Sequence, residues 1–205
     1  MPPKVNITTP DSRGTSLYRS SLRAAIRGLW LGVMDPDQFW KAMSLAIKTH
    51  LRAAWLSGAK ECGIAPDELT TDEVMALQDA IDYEHIWIGG LANTIEANSK
   101  ARGGKLTPLL TRIEIWIGRW EGVRSKALTM ACKDKKLEWV LGPTEHCRSC
   151  LALSGKVKRA SWWNENGILP RVHGAWYLIC KGFRCACQIR STDKPLSRGR
   201  MPRLP

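Results

Sequence analysis

LEWVLGPTEHCRSCLALSGKV, residues 137–157, opens on a short apolar run and closes on Leu153-x-Gly155-x-Val157, with Cys147 and Cys150 between them. A second group, CKGFRCAC at 180–187, brings Cys180, Cys185 and Cys187 after a gap of 29 residues. Tetrahedral zinc is commonly held by two such groups, each giving two thiolates at about 2.3 Å. A two-residue spacer lets Cys147 and Cys150 point at one centre. Gly182 lets the chain turn between Cys180 and Cys185, while Cys185 and Cys187 share one face if the segment is a strand. Five thiols compete for four places. Cys147, Cys150, Cys180 and Cys185 are the favoured set, with Cys187 as substitute and His146 and His173 as fallback ligands. Four thiolates would close the shell and leave no position for a water nucleophile, so the expected zinc is structural.

Working outward, the texture changes near residue 136. Downstream, short β-like runs at 137–141, 156–158, 175–179 and 187–190 alternate with Gly, Pro and Asn. Upstream the chain reads as about four helices. Leu17, Leu22, Ile26, Leu29 and Trp30 fall on one stripe of the first. Asp35–Pro36 starts a second, which carries Phe39, Trp40, Met43, Ile47 and Leu51. Thr71, followed by acids, starts a third that runs into the nineties past Gly89–Gly90. Thr107–Pro108 starts a fourth that ends near Lys133. The fold class is therefore α+β: a helical domain over 15–136, then a small Cys-rich β domain over 137–192, zinc-ribbon-like in one form. A disordered arm (1–14) and a basic disordered tail (193–205) flank them. The β domain has few large aliphatics, so its core is expected to be thin and to need the metal.

The 205 residues carry a net charge of +12. Residues 141–205 hold 12 basic and 3 acidic side chains, leaving 19 and 16 to the first 140, so the basic character sits with the cysteines. That asymmetry points to a polyanion or an acidic protein surface as a neighbour. No run approaches the roughly 20 apolar residues of a membrane span, and the N-terminus has no secretory pattern. The expectation is a soluble chain made in a reducing cytoplasm, with Cys62 and Cys132 as small buried hydrophobes on helices. The ten tryptophans suit core packing, with one or two left for a partner.

Catalytic signatures are missing: no P-loop, dinucleotide fingerprint, nucleophile elbow or H-E-x-x-H occurs. Asp82, Glu84 and His85 in DYEHIW read as a solvated helix face. Lys156, Lys158 and Arg159 beside Trp162 and Trp163, with Arg184 further on, make candidate nucleic-acid contacts. On a strand the two tryptophans face opposite ways, so at most one would stack.

RIEIWIGRWEGVRSKAL, then residues 137–157, then FRCACQI resemble the C-terminal half of phage head-morphogenesis proteins of the Mu F-like family. The matching positions are Arg112 and Glu114 in a helix, Trp139 and Val140 in a strand, Cys147, Cys150, Leu153, Gly155 and Val157 in the knuckle, and Cys185 and Cys187 in the closing pair. The likeness spans about 110–190. It departs at Gly182–Phe183, where the family has His-Pro, and at 143–145. The resemblance implies a non-enzymatic minor head protein, made in the host cytoplasm and lodged in the virion. Its partners would be portal or capsid proteins and, through the basic end, packaged DNA. No membrane and no small-molecule substrate is implied. The alternative is a zinc-ribbon nucleic-acid-binding protein acting outside a virion. A third reading is an effector with an enzymatic helical half, for which no residue supplies an active site.

Overall fold

The computed structural model describes residues 12–173, 175–183 and 185–204, so Arg184 and the first eleven residues of the expected arm lie outside the described residues. The chain is α+β, as its sequence predicts. Among the described residues, six α-helices and a short 3-10 turn precede a three-stranded sheet that carries two further short helices.

Local chemistry accounts for the helix starts. In α1 (Ser12–Leu31), Tyr18, Leu22, Ile26 and Leu29 face inward, and Tyr18 takes the core place expected of Leu17, which points to solvent. Asp35 closes a capping box with Gln38 at the head of α2 (Pro36–Lys60), with Pro36 in the first turn. Thr70, one residue before the expected Thr71, forms the same box with Glu73 on α3 (Thr71–His85). The predicted third helix is in fact two, because the chain breaks at 86–87 and resumes as α4 (Ile88–Ala97). Gly89–Gly90 lies just inside the new first turn, where backbone N–H groups have no intrahelical partner to lose. The predicted fourth helix also divides, at Ile113, into α5 (Leu106–Arg112) and α6 (Glu114–Ala131). Lys105, with no side-chain cap, takes the N-cap place expected of Thr107.

Helix α2 runs through the middle of the body against α1 and α6. Its closest approach to α6 is at Gly58, where a Cβ would stand 2.3 Å from the Arg124 carbonyl oxygen. Gly→Ala in an exposed helix stabilises by about 1 kcal/mol. Here the added methyl must force two packed backbones apart, a distortion of the kind that costs about 1–3 kcal/mol. Gly58→Ala is therefore expected to lower the denaturant midpoint, as read by far-UV circular dichroism, where propensity alone would raise it.

The sheet has the order β2-β1-β3, antiparallel throughout, with β1 (Lys136–Val140) between β2 (Val157–Arg159) and β3 (Gln188–Ser191). Leu137 and Trp139 face inward and alternate with half-exposed neighbours. Against them pack Leu153 of α7 (Arg148–Leu153) and Trp163 of α8 (Ala160–Glu165). Trp163 donates its indole N–H to the Leu137 carbonyl at 3.1 Å, so its buried polar atom is satisfied. The run 175–179 is turn rather than strand, although Ala175 and Leu178 are buried. This second core is not thin. It holds two fully buried tryptophans and continues into Leu128 and Cys132 at the end of α6, so α6 is shared by both halves.

Two further expectations do not hold. Cys62 and Cys132, just beyond the ends of α2 and α6, form a disulfide with a Cα–Cα distance of 5.5 Å instead of lying as separate small hydrophobes. The segment after β3, expected as a disordered tail, lies along the sheet. Ser197 donates its N–H to the Val157 carbonyl and accepts the Val157 N–H on its hydroxyl, and Met201 and Leu204 pack on the second core. Strand β2 would otherwise leave an unpaired edge, and the tail covers it.

Candidate metal centre

The cysteines converge because three backbone devices turn the chain around the end of the sheet. Gly155, with a left-handed φ of 72°, gives its N–H to the Trp139 carbonyl and lets Leu153 and Val157 both face inward. That is the physical content of the Leu-x-Gly-x-Val pattern. Cys147 caps α7, and Cys150 follows one helical turn later, on the same face. Phe183 donates its N–H to the Cys180 carbonyl in a tight turn whose Gly182 has φ 76°, and the chain then enters β3 through Cys185 and Cys187.

All five cysteines predicted as metal ligands meet at one place, and their sulfurs could hold a metal ion. They form two triads, Cys147–Cys150–Cys180 and Cys150–Cys185–Cys187, with the sulfurs of each within 4.8 Å of one another. Cys150 belongs to both. The Cys150–Cys185 sulfur distance is 3.8 Å, and a tetrahedron of thiolates at about 2.3 Å from zinc has edges of about 3.8 Å. An open cleft at this point is lined by Cys147, Cys150, Cys180 and Cys185, together with Thr144, Glu145, His146 and Phe183. Cys187 is fully buried behind it, beside the Gly142 N–H.

The thiols hold one another's protons. Hydrogen bonds from Cys150 and Cys185 bring the Cys187 thiol down to about 4 against the opposing effect of burial. Bonding to Cys185 and Cys187 and burial push Cys150 far up, and burial takes Cys180 up to about 11. A bound cation would displace these shared protons and favour all the thiolates together.

Of the two fallback histidines, His146 is placed at the cluster. Its Nε2 donates to the Gly142 carbonyl at 2.9 Å, which leaves Nδ1 3.7 Å from the Cys187 sulfur. His173 is not: it stacks on Tyr83 at 4.2 Å, against the helical body.

The nucleic-acid candidates fare differently from the cysteines. Lys158 Nζ donates to the Ser197 carbonyl at 3.1 Å and lies 5.6 Å from the centre of the Trp162 ring. Arg159 donates to the Asp134 carbonyl at 3.0 Å. Both are engaged within the chain, while Lys156 is half-buried on the turn before β2. Trp162 and Trp163 lie on α8, not on a strand, and Trp163 is in the core.

Two features were beyond the sequence reading. Glu84, read as part of a solvated face, is 3% exposed and faces Arg119 Nε at 3.1 Å. Burial pushes its carboxyl up to about 7, with Arg119 holding it lower than burial alone would. Arg119 also donates to the Arg171 carbonyl at 2.7 Å and lies 5.5 Å from the centre of the Phe183 ring, so it ties α3, the loop at 171 and the cysteine turn together. The other feature is the disulfide, for which cysteine parity was the available signal, since five clustered residues out of seven leave a pair. Compared with known protein families, curated proteins and solved structures, the chain matches none.

Proposed function

We propose that the chain is a minor head protein of a phage, docked at the portal or on the capsid interior, where it assists head morphogenesis or DNA delivery. It would be made in the host cytoplasm and carried in the virion. In this reading the cysteine cluster holds one structural zinc and the chain does no covalent chemistry.

The observation that carries the reading is the behaviour of the motif residues. Trp139, Cys147, Cys150, Leu153, Gly155, Val157, Cys185 and Cys187 are spread over about fifty residues, yet they build one sheet-and-knuckle unit on the end of α6. The Mu F-like resemblance rests on these residues in the same order, together with Val140 beside them and with Arg112 and Glu114 upstream. Two further properties fit. Trp40, Trp87 and Trp176 are 47, 52 and 82% exposed, apolar side chains of the kind that protein neighbours cover. The positive balance of 141–205 suits a position near packaged DNA, where neutralising phosphates releases counterions.

Co-sedimentation with portal rings and capsid shells of the phage that encodes it tests the reading. Capture that persists at high salt is the expected result. Failure to bind either particle, together with DNA binding that falls steeply as salt rises, would replace it with the nucleic-acid-binding alternative.

A further inference from the structure

Where α3 gives way to α4, Ile86 and Trp87 leave the helical path and stand 69 and 52% exposed. Behind them lies a cleft of about 300 Å³ walled by Tyr83, Trp87, Leu91, Ile115, Trp116 and Phe183. Tyr83 meets Trp87 edge-on at 6.0 Å, and Trp40 extends the apolar surface past His85, 5.9 Å away. Phe183, 49% exposed at the tip of the cysteine turn, borders both this cleft and the one at the cysteines.

The charges in the cleft are unequal. Glu84 is engaged with Arg119, which also serves the Arg171 carbonyl, and Glu114 nearby is held by Arg19 at 2.8 Å. Arg112 lines the mouth, is exposed, and has no ion pair or hydrogen bond among the described residues. A guanidinium beside an exposed aromatic wall is complementary to a carboxylate next to a bulky apolar side chain. The apolar surface extends beyond the cleft over Ile86 and Trp40, which suits a protein segment better than a small molecule.

We propose that this cleft docks an acidic segment of a partner protein, whose bulky apolar side chain enters between Trp87 and Phe183 while its carboxylate meets Arg112. The cysteine turn supplies one wall, so the metal centre shapes the docking surface through Phe183. That the partner is a protein rests on the docking reading above. Short peptides test the cleft by itself, so it can fail while capture by portal rings stands.

The full chain, immobilised, is panned against a random short-peptide library, and enriched sequences are synthesised and titrated by fluorescence anisotropy. The expected enrichment is Asp or Glu next to Trp, Phe or Leu. Arg112→Glu should weaken these peptides about tenfold or more, and peptides with Lys in place of each acid should bind Arg112→Glu better than the wild type. Ile115→Asp should weaken both sets. Arg112 and Ile115 are exposed, and unchanged melting curves and metal content will confirm that the variants fold. No enrichment, enrichment without acids, indifference to both substitutions, or displacement of the peptides by oligothymidylate would each overturn the proposal.

Discussion

Cys150→Ser abolishes zinc retention, whereas Cys187→Ser weakens it without removing it: this is the outcome expected from native mass spectrometry of protein purified under reducing conditions. Cys150 is common to both triads, so its loss reduces each of them to a pair of sulfurs. Cys187 lies behind the cleft that Cys147, Cys150, Cys180 and Cys185 line. It then acts as an outer partner of the metal's own ligands, whose loss typically costs about 10–100-fold in affinity. Equal loss in both variants would move Cys187 into the ligand set. Full zinc occupancy in Cys150→Ser would make Cys150 the spare thiol and overturn its shared role. Chelation should loosen the chain unevenly. Hydrogen exchange is expected to rise first at 141–150 and 176–187, because the sheet keeps Leu137, Trp139, Leu153 and Trp163 whether or not a metal is present.

Arg119→Met should be among the most destabilising single substitutions in the helical body. Where Glu84 is ionised, at alkaline pH, the substitution leaves a buried carboxylate without its cation, a change that typically costs about 3–5 kcal/mol. It also strips the Arg171 carbonyl of its donor. Adding Glu84→Gln should recover part of the loss, since no charge then remains stranded. Equal stability of the single and double variants would deny the coupling.

The pH dependence has a definite sign. Burial raises the Glu84 carboxyl from 4.5 in the unfolded chain to about 7 in the fold, so the folded chain holds this proton more tightly. The stability linked to that proton is full below about pH 4.5 and is lost as pH rises through about 7. Glu84→Gln should flatten that part of the denaturant-midpoint profile, and the cost of Arg119→Met should be greater at the alkaline end. A Glu84→Gln profile parallel to the wild type would show that the carboxyl titrates as in the unfolded chain.

The features legible in the sequence were those set by short-range chemistry. The Asp35–Pro36 helix start, the C-x2-C spacing and the β-like run at 137–141 each act over a few residues, and each lies within one residue of where it was expected. The helix break at 86–87 was not legible, because no proline or glycine stands at those two positions and the apolar pattern runs on through them. Glu84 looked solvated because its cation, Arg119, is 35 positions away in sequence. Trp162–Trp163 carries strand-forming residues, yet Trp163 has a better partner in the Leu137 carbonyl when the segment winds into α8. For the candidate site, the five cysteines could be read, but the sharing of Cys150 between two triads required coordinates.

The Cys62–Cys132 bridge spans a sequence separation of 70 and encloses α3, α4, α5 and α6 in one covalent ring. The stretch at 99–105, exposed at 100–103, lies inside that ring. A protease that cuts there opens a loop without releasing a fragment. The two pieces would migrate as one species until a reductant is added, with the tryptophan-lined cleft and the cysteine unit still on the same molecule. Damage at that position is thus converted from loss of a part into a nick.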